Sequence, residues 1–492
     1  MLRKIRVTLG ILVLLAVTLL FVDLTGALHH WLGWIAKIQF LPALLALDAG
    51  VLIALLALTL LFGRIYCSVV CPLGLLQDAI SHVRGWFWHK KRGRFSYSAG
   101  SKRLRVAVLL LTLICWGTGL NAVVSLLAPY SAYGRIATHL LRPLWALGNN
   151  ALAALAARYD SYAFYSVDVW LKSLPTLLIA VITLLVVGTL AWLGGRTYCN
   201  NICPVGAVLS LFARHSVLKV RFDASRCKHC GQCASHCKSS CIDYRHHTVN
   251  YSRCVACGNC LTHCKFNALH YTTARSATAP APPDKQRRAF LSGTVSLIAL
   301  CALAQERKKV DGGLALIEDK QAPARQTPLT PPGSISATHL ARHCTACQLC
   351  IAQCPNQVLR PSSSLTRFMQ PQMSYERGFC RPECTRCSQV CPTGAILPLT
   401  PAEKSATRIG HAVWIAQNCV CVSDRVDCGN CERHCPTGAI TMVPLDAADD
   451  SSPFVPAIDT ARCIGCGKCE YVCPARPFSA IYIEGHTMHH TL

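Results

Sequence analysis

Cysteine spacing constrains this chain more than any other feature. Of its 492 residues, 32 are cysteine, and most of them fall into six short runs. Cys227, Cys230, Cys233 and Cys237 have two, two and three residues between successive thiols, and so do Cys254, Cys257, Cys260 and Cys264. Nearer the C-terminus the same spacing returns in Cys344, Cys347, Cys350, Cys354 and in Cys463, Cys466, Cys469, Cys473. Two irregular versions lie between these: Cys380, Cys384, Cys387, Cys391, and Cys428, Cys431, Cys435 with Cys419 or Cys421 upstream. So short a spacing lets three thiolates wrap one face of an iron–sulfur cubane while the fourth reaches a neighbouring one. Zinc sites use isolated tetrads, usually two separated Cys-x-x-Cys pairs. Disulfide scaffolds are short and lack long apolar stretches. No Cys-x-x-Cys is followed by His, which excludes c-type haem attachment. The runs therefore predict six 4Fe–4S clusters.

In the first pair of runs the fourth cysteine is expected to cross over. Cys227, Cys230, Cys233 and Cys264 then hold one cluster, and Cys254, Cys257, Cys260 and Cys237 the other. Lys238 and Lys265 stand where a proline usually follows the fourth cysteine, and Cys241 is a spare thiol. The four later runs do end in Cys-Pro, at Pro355, Pro392, Pro436 and Pro474. A nested arrangement is expected there, first run with fourth and second with third. Cys473 then joins Cys344, Cys347 and Cys350, and Cys354 joins Cys463, Cys466 and Cys469. Cys435 joins Cys380, Cys384 and Cys387, and Cys391 joins Cys419, Cys428 and Cys431.

Composition adds a membrane. Hydrophobic residues make up 52% and charged residues only 15%. Four apolar stretches, near 7–27, 41–62, 106–128 and 174–194, approach the roughly 20 residues that span a bilayer. Arg3, Lys4 and Arg6 precede the first. A basic loop with Arg84, Lys90, Lys91, Arg92, Arg94, Lys102, Arg103 and Arg105 separates the second from the third. Because such residues stay on the cytoplasmic side, the N-terminus, this loop and the chain after residue 195 are expected inside. The net charge of +25 is thereby explained beside apolar segments, and no nucleic-acid-binding motif accompanies it. Arg287 and Arg288 precede an apolar run from 289 to 304, like a twin-arginine export signal, with Ala302-Leu303-Ala304 in the form of a cleavage site. An ordinary fifth helix is the alternative, and both place residues 305–492 outside.

The expected architecture is multidomain: an α-helical membrane bundle of four helices plus a fifth apolar segment, with two small α+β modules of bacterial-ferredoxin type. Expected boundaries are 1–221 for the membrane part, 222–275 for the inner two-cluster module, 276–304 and 305–340 for linkers, and 341–492 for the outer four-cluster module. Within the membrane part, Gly63-Arg64-Ile65-Tyr66-Cys67-Ser68-Val69-Val70-Cys71-Pro72-Leu73-Gly74 repeats as Gly195-Arg196-Thr197-Tyr198-Cys199-Asn200-Asn201-Ile202-Cys203-Pro204-Val205-Gly206. Each copy follows an even-numbered span and is placed at the cytoplasmic surface. Cys67, Cys71, Cys199 and Cys203 suit a seventh cluster, redox thiols or a surface turn equally well. Cys115 and Cys301 read as packing residues. Asp48, an ionisable residue toward the outer end of the second span, is the candidate proton acceptor for quinol or a hydrogen-bonding group between helices. His29 and His30 read as interface residues. No pattern in the sequence joins the inner module to the outer one.

These features together resemble two families that are normally separate proteins. The four spans, the two Cys-x-x-x-Cys-Pro copies and the two-cluster module resemble the NapH/MauN membrane ferredoxins. From about residue 285 the twin-arginine leader and four runs, including the irregular third, resemble the NapG/MauM ferredoxins. The resemblance implies an electron carrier of the bacterial inner membrane. It would be fed by the quinone pool and serve a periplasmic acceptor such as nitrate reductase or a cytochrome c. A cytoplasmic electron donor, or a role in maturing a periplasmic metalloenzyme, is the other implication.

Overall fold

A computed structural model describes residues 2–87, 95–161, 163–273, 310–311, 315–316, 318–448 and 452–491. The twin-arginine segment, residues 88–94 of the basic loop and the Pro/Ala linker lie outside the described residues.

Two described helices are long and apolar enough to cross a membrane, Arg3–Val22 and Leu174–Gly194. The other two expected spans are broken. The second divides into Phe40–Leu45 and Ala49–Phe62, with Leu47 at φ 55 and Asp48 as the N-cap between them. The third divides into Lys102–Gly117 and Asn121–Leu127, interrupted by Gly119 at φ 81. Ser101 caps the Lys102–Gly117 helix by accepting from the Leu104 N–H at 3.1 Å. The breaks bring chain back into the bundle at corresponding places in the two repeats. Tyr66 Oη donates to Gln39 and Tyr198 Oη donates to the Leu127 carbonyl.

The Leu2–Val22 helix ties the molecule from end to end. Arg3 Nη1 donates to Thr262 of the inner module at 3.4 Å. Gln353 Nε2 of the outer module donates to the Leu20 carbonyl at 2.7 Å. From Arg3 to Leu20 the helical rise of ~1.5 Å per residue separates these contacts by about 26 Å.

The inner module begins four residues earlier than its thiols suggested. Strand Leu218–Phe222 pairs antiparallel with Leu269–Thr273, so the boundary expected after residue 221 runs through a strand. A second hairpin pairs Ile242–Asp243 with Thr248–Val249. In the outer module each pair of neighbouring runs encloses its own hairpin, Leu359–Pro361 with Pro371–Met373 and Ile440–Pro444 with Phe454–Ile458. A longer sheet of Thr407–Trp414 and Ile481–Thr491 joins the halves. The proline-rich stretch expected to be a linker is built into this module from residue 318. Arg325 forms an ion pair with buried Glu470 at 2.6 Å, and Lys320 Nζ donates to the Glu470, Tyr471 and Cys473 carbonyls. Buried carboxylates need such partners, which is why the stretch is held down.

Candidate iron–sulfur sites

The four regular runs share one local backbone. The residue before the second cysteine and the residue after it both have positive φ: His229 and Gly231, Ala256 and Gly258, Ala346 and Gln348, Gly465 and Gly467. Such alternation turns successive N–H groups toward one side, making a cradle for negative charge. One of these groups, and three N–H groups that follow the last cysteine of a run, already meet sulfur. Ala346 N donates to Cys344 Sγ, Ala268 N to Cys264 Sγ, Ala439 N to Cys435 Sγ and Ala480 N to Cys473 Sγ, at 3.2–3.3 Å.

Around these cradles the thiols converge. Cys237, Cys254, Cys257 and Cys260 line one cavity together with Cys241. Cys354, Cys380, Cys384 and Cys387 line a second. A third is lined by Cys428, Cys431, Cys473 and both Cys419 and Cys421. Cys233 lies within electrostatic reach of Cys227, Cys230 and Cys264. Cys350 has the same relation to Cys344, Cys347 and Cys391, and Cys463 and Cys466 to Cys435, with Cys469 beside them. Burial pushes the Cys347, Cys431 and Cys466 thiols up to about 12. Thiolates at such depth require cations, and iron supplies them. The donor sets thus fit 4Fe–4S clusters, which carry one electron at a time when bound.

In the inner module Cys237 lies with Cys254, Cys257 and Cys260, and Cys264 lies near Cys233, the proximity that a crossover of the fourth cysteines needs. The nested pairing expected in the outer module is not the arrangement found. Cys391 completes the set of Cys344, Cys347 and Cys350, and Cys354 that of Cys380, Cys384 and Cys387. Cys435 completes Cys463, Cys466 and Cys469, and Cys473 joins Cys428 and Cys431. Neighbouring runs pair because their short hairpins fold them face to face, with helix Leu349–Gln353 packed on Arg386–Val390 and Asn430–Arg433 on Lys468–Val472.

The two Cys-x-x-x-Cys-Pro copies also meet. Cys67, Cys71, Cys199 and Cys203 are all buried, and Cys203 lies within electrostatic reach of the other three. The copies start where helices Ala49–Phe62 and Leu174–Gly194 end, and then turn back into the bundle. Gly63 and Gly195, at φ 75 and 66, end the preceding helices and reverse the chain. Their arginines are exchanged. Arg64 Nη2 donates to the Cys199 carbonyl at 2.9 Å and stands 3.8 Å from Cys67 Sγ, while Arg196 Nη1 donates to the Cys67 carbonyl. Gly74 and Gly206 leave the space: a Cβ on either would strike the Cys67 or Cys199 carbonyl and the incoming guanidinium. Gln77 Nε2 donates to Cys199 Sγ at 3.1 Å. Asp78 receives Arg6 and Arg196, each at 2.9 Å, and Lys238 at 3.5 Å. The Gly-Arg dipeptide repeated before each Tyr-Cys was the available signal for the arginines; Gln77 and Asp78 occur in one copy only and gave none.

Asp48 is exposed and caps Ala49–Phe62, its Oδ1 accepting from Val51 N at 3.1 Å. His30 is exposed, edge-on to Trp31. Cys115 is buried in its helix.

The thiol sets and their cradles define an iron–sulfur protein of the tandem 4Fe–4S ferredoxin class. Family models agree: a 4Fe-4S binding domain matches residues 49–93 and 174–223, another 4Fe-4S binding domain matches 247–270, and a 4Fe-4S dicluster domain matches 424–476. The ferredoxin-type protein NapF of Escherichia coli K12 is 29% identical over 161 residues, 32% of this chain and 87% of NapF. NapG of the same strain is 29% identical over 211 residues, 39% of this chain and 83% of NapG. The methylamine utilization ferredoxin-type protein MauM of Methylobacillus flagellatus is 31% identical over 174 residues, covering 33% of this chain and 70% of MauM. No solved structure matches the chain. The chain belongs to the family of ferredoxin-type proteins that MauM represents, and its role is iron–sulfur electron transfer.

Proposed function

We propose that this chain is an electron-transfer protein of a bacterial cytoplasmic membrane that oxidises quinol and delivers the electrons to a periplasmic acceptor, a reductase of nitrate type or a cytochrome c. On this reading it unites a NapH/MauN-type membrane part with a NapG/MauM-type ferredoxin in one polypeptide, with six clusters in its six runs. The basic N-terminus and the inner module, with eight Lys and Arg against two Asp over 218–273, favour a cytoplasmic location for that end.

One observation carries the quinol reading. A cavity opens among Phe40, Leu44, Leu109, Leu113, Trp116 and Val208, and Cys344 of the outer module forms part of its wall. Its lining is almost wholly apolar, as a prenylated ring requires, while Asn121, Thr345 and Arg342 supply a polar end. Asn121 is held there by donating to the Ala341 carbonyl. Arg342 favours the deprotonated quinol as it reacts. Each quinol gives up two protons to water at this side and two electrons, singly, to the outer thiol sets, and the periplasmic acceptor takes them up. Asp48 is not among the residues lining this cavity.

The test is reduction of the lipid-reconstituted protein by a reduced quinol analogue, followed by bleaching of the cluster absorbance. Filling the cavity with Leu113→Trp is expected to slow bleaching at least about tenfold, roughly the loss of one apolar contact set. Bleaching at the unaltered rate overturns the site. A second reading, electron supply for maturation or reactivation of a periplasmic metalloenzyme, is favoured by the exposed Cys230 on the inner module. It is supported instead if quinol gives no bleaching while a cytoplasmic ferredoxin or flavodoxin does.

A further inference from the structure

The four buried thiols of the membrane part lie in a segment whose neighbouring residues contact both modules. On the inner side, Arg64 Nη1 donates to the Ser252 carbonyl at 3.1 Å, and Arg64 is within electrostatic reach of Cys254. Arg196 N donates to the Lys238 carbonyl at 2.8 Å, and Asn200 Nδ2 to the Ser239 carbonyl at 3.3 Å. Ser252 precedes Cys254, and Lys238 and Ser239 follow Cys237. Cys237 and Cys254 belong to one inner set, so both copies of the motif rest on the same inner cluster site.

On the outer side, Tyr198, the neighbour of Cys199, and Cys347 both lie within electrostatic reach of Arg135. Tyr130 is within electrostatic reach of Cys347 and Cys391. A Cβ on Gly134 would strike the Cys347 carbonyl, and His139 Nε2 is 2.7 Å from Gln348 Oε1. Cys347 and Cys391 again belong to one set. Onward spacing is just as short: Cys380 N donates to the Cys466 carbonyl at 2.9 Å, joining the second outer set to the third. Cys431 of the last set reaches Cys469 of the third.

We propose that Cys67, Cys71, Cys199 and Cys203, braced by the exchanged Arg64 and Arg196, would hold a seventh 4Fe–4S cluster that is the electronic bridge between the inner and outer modules. A one-electron carrier on the cytoplasmic face can then reduce the outer module. The two guanidiniums offset the negative charge that four thiolates bring into an apolar interior, where unpaired charge is costly. Asp78 fixes Arg196 and ties it to Arg6 of the first helix and Lys238 of the inner module, which makes it a positioning residue. Each transfer oxidises the cytoplasmic carrier by one electron and reduces the outer module by one, with no proton moved. The inference goes beyond the quinol reading and does not depend on it, since quinol is absent from its test.

The experiment uses the full chain in sealed liposomes enclosing ferricyanide, with a reduced small acidic ferredoxin added outside. Only chains with the inner module facing out are addressed. Ferricyanide is expected to bleach one molecule per ferredoxin oxidised. In Cys67→Ser/Cys199→Ser the crossing should fall at least a hundredfold, iron should fall by four atoms per chain, and the inner sets should still be reduced by ferredoxin, which shows that the variant is folded. Unchanged crossing, or unchanged iron, overturns the bridge. Should the double variant not fold, the wild-type chain decides: about 28 iron atoms per chain, four for each of seven sites, support the proposal, and about 24 overturn it. Asp78→Asn should shift the midpoint potential of the additional paramagnetic signal without lowering the iron count; an unmoved potential denies Asp78 the positioning role.

Discussion

The inner module and the two regular runs of the outer one share the same thiol spacing, but the two modules are stabilised differently. In the inner one, four of the eight residues of the buried core are cysteines: Cys233, Cys237, Cys241 and Cys260. Val220, Ala234, Ile242 and Leu269 make up the rest of that core. The outer module buries its thiols within a continuous core that includes Leu329, Leu340, Leu349, Ile351, Tyr375 and Ile483 and runs on into the membrane helices. One module is folded chiefly by its metal, the other by metal and packing together. A ferredoxin motif therefore fixes ligation without fixing how strongly its surroundings fold.

The largest effect that could break this contrast is iron removal. Chelation under mildly oxidising conditions should abolish amide protection throughout 218–273. Strands Thr407–Trp414 and Ile481–Thr491 should retain at least about tenfold protection. Equal loss in hydrogen exchange would show that both modules depend on iron alike. Next in size is Glu470→Ala. It removes the buried partner of Arg325 and an acceptor for the Ile483 N–H at 2.9 Å. The outer module should lose about 3–5 kcal/mol in denaturant unfolding followed by its visible dichroism, with the inner module unchanged. The smallest is Asp48→Asn. An exposed cap that keeps an accepting oxygen should change stability by less than about 1 kcal/mol, and quinol-driven bleaching should stay within twofold. A slower rate would return Asp48 to the proton path.

How much of this was legible in the sequence depended on whether spacing alone decides the contact. Within each run it does, because two or three intervening residues leave the thiols no other place to go. The inner crossover followed for the same reason, with only two runs available. Among the four outer runs, spacing is nearly degenerate, and the choice of partner rests on hairpins such as Leu359–Pro361 with Pro371–Met373, whose three-residue strands leave little periodic signal. The second and third apolar stretches read as unbroken spans because hydropathy does not register the positive φ at Leu47 and Gly119. Meeting of the two Cys-x-x-x-Cys-Pro copies was hinted at by their repetition. The exchange of their arginines was not, since each donates to a carbonyl more than a hundred residues away.

That exchange has a consequence for biogenesis. A ribosome-bound chain that has emerged only through the first hairpin carries Arg64 with neither the Cys199 carbonyl nor Asn200 to receive it. The second hairpin likewise needs the Cys67 carbonyl for Arg196. Neither half can seat its arginine alone, so the first half stays open until the second is made, and a half expressed by itself would leave its arginine without the carbonyl that receives it.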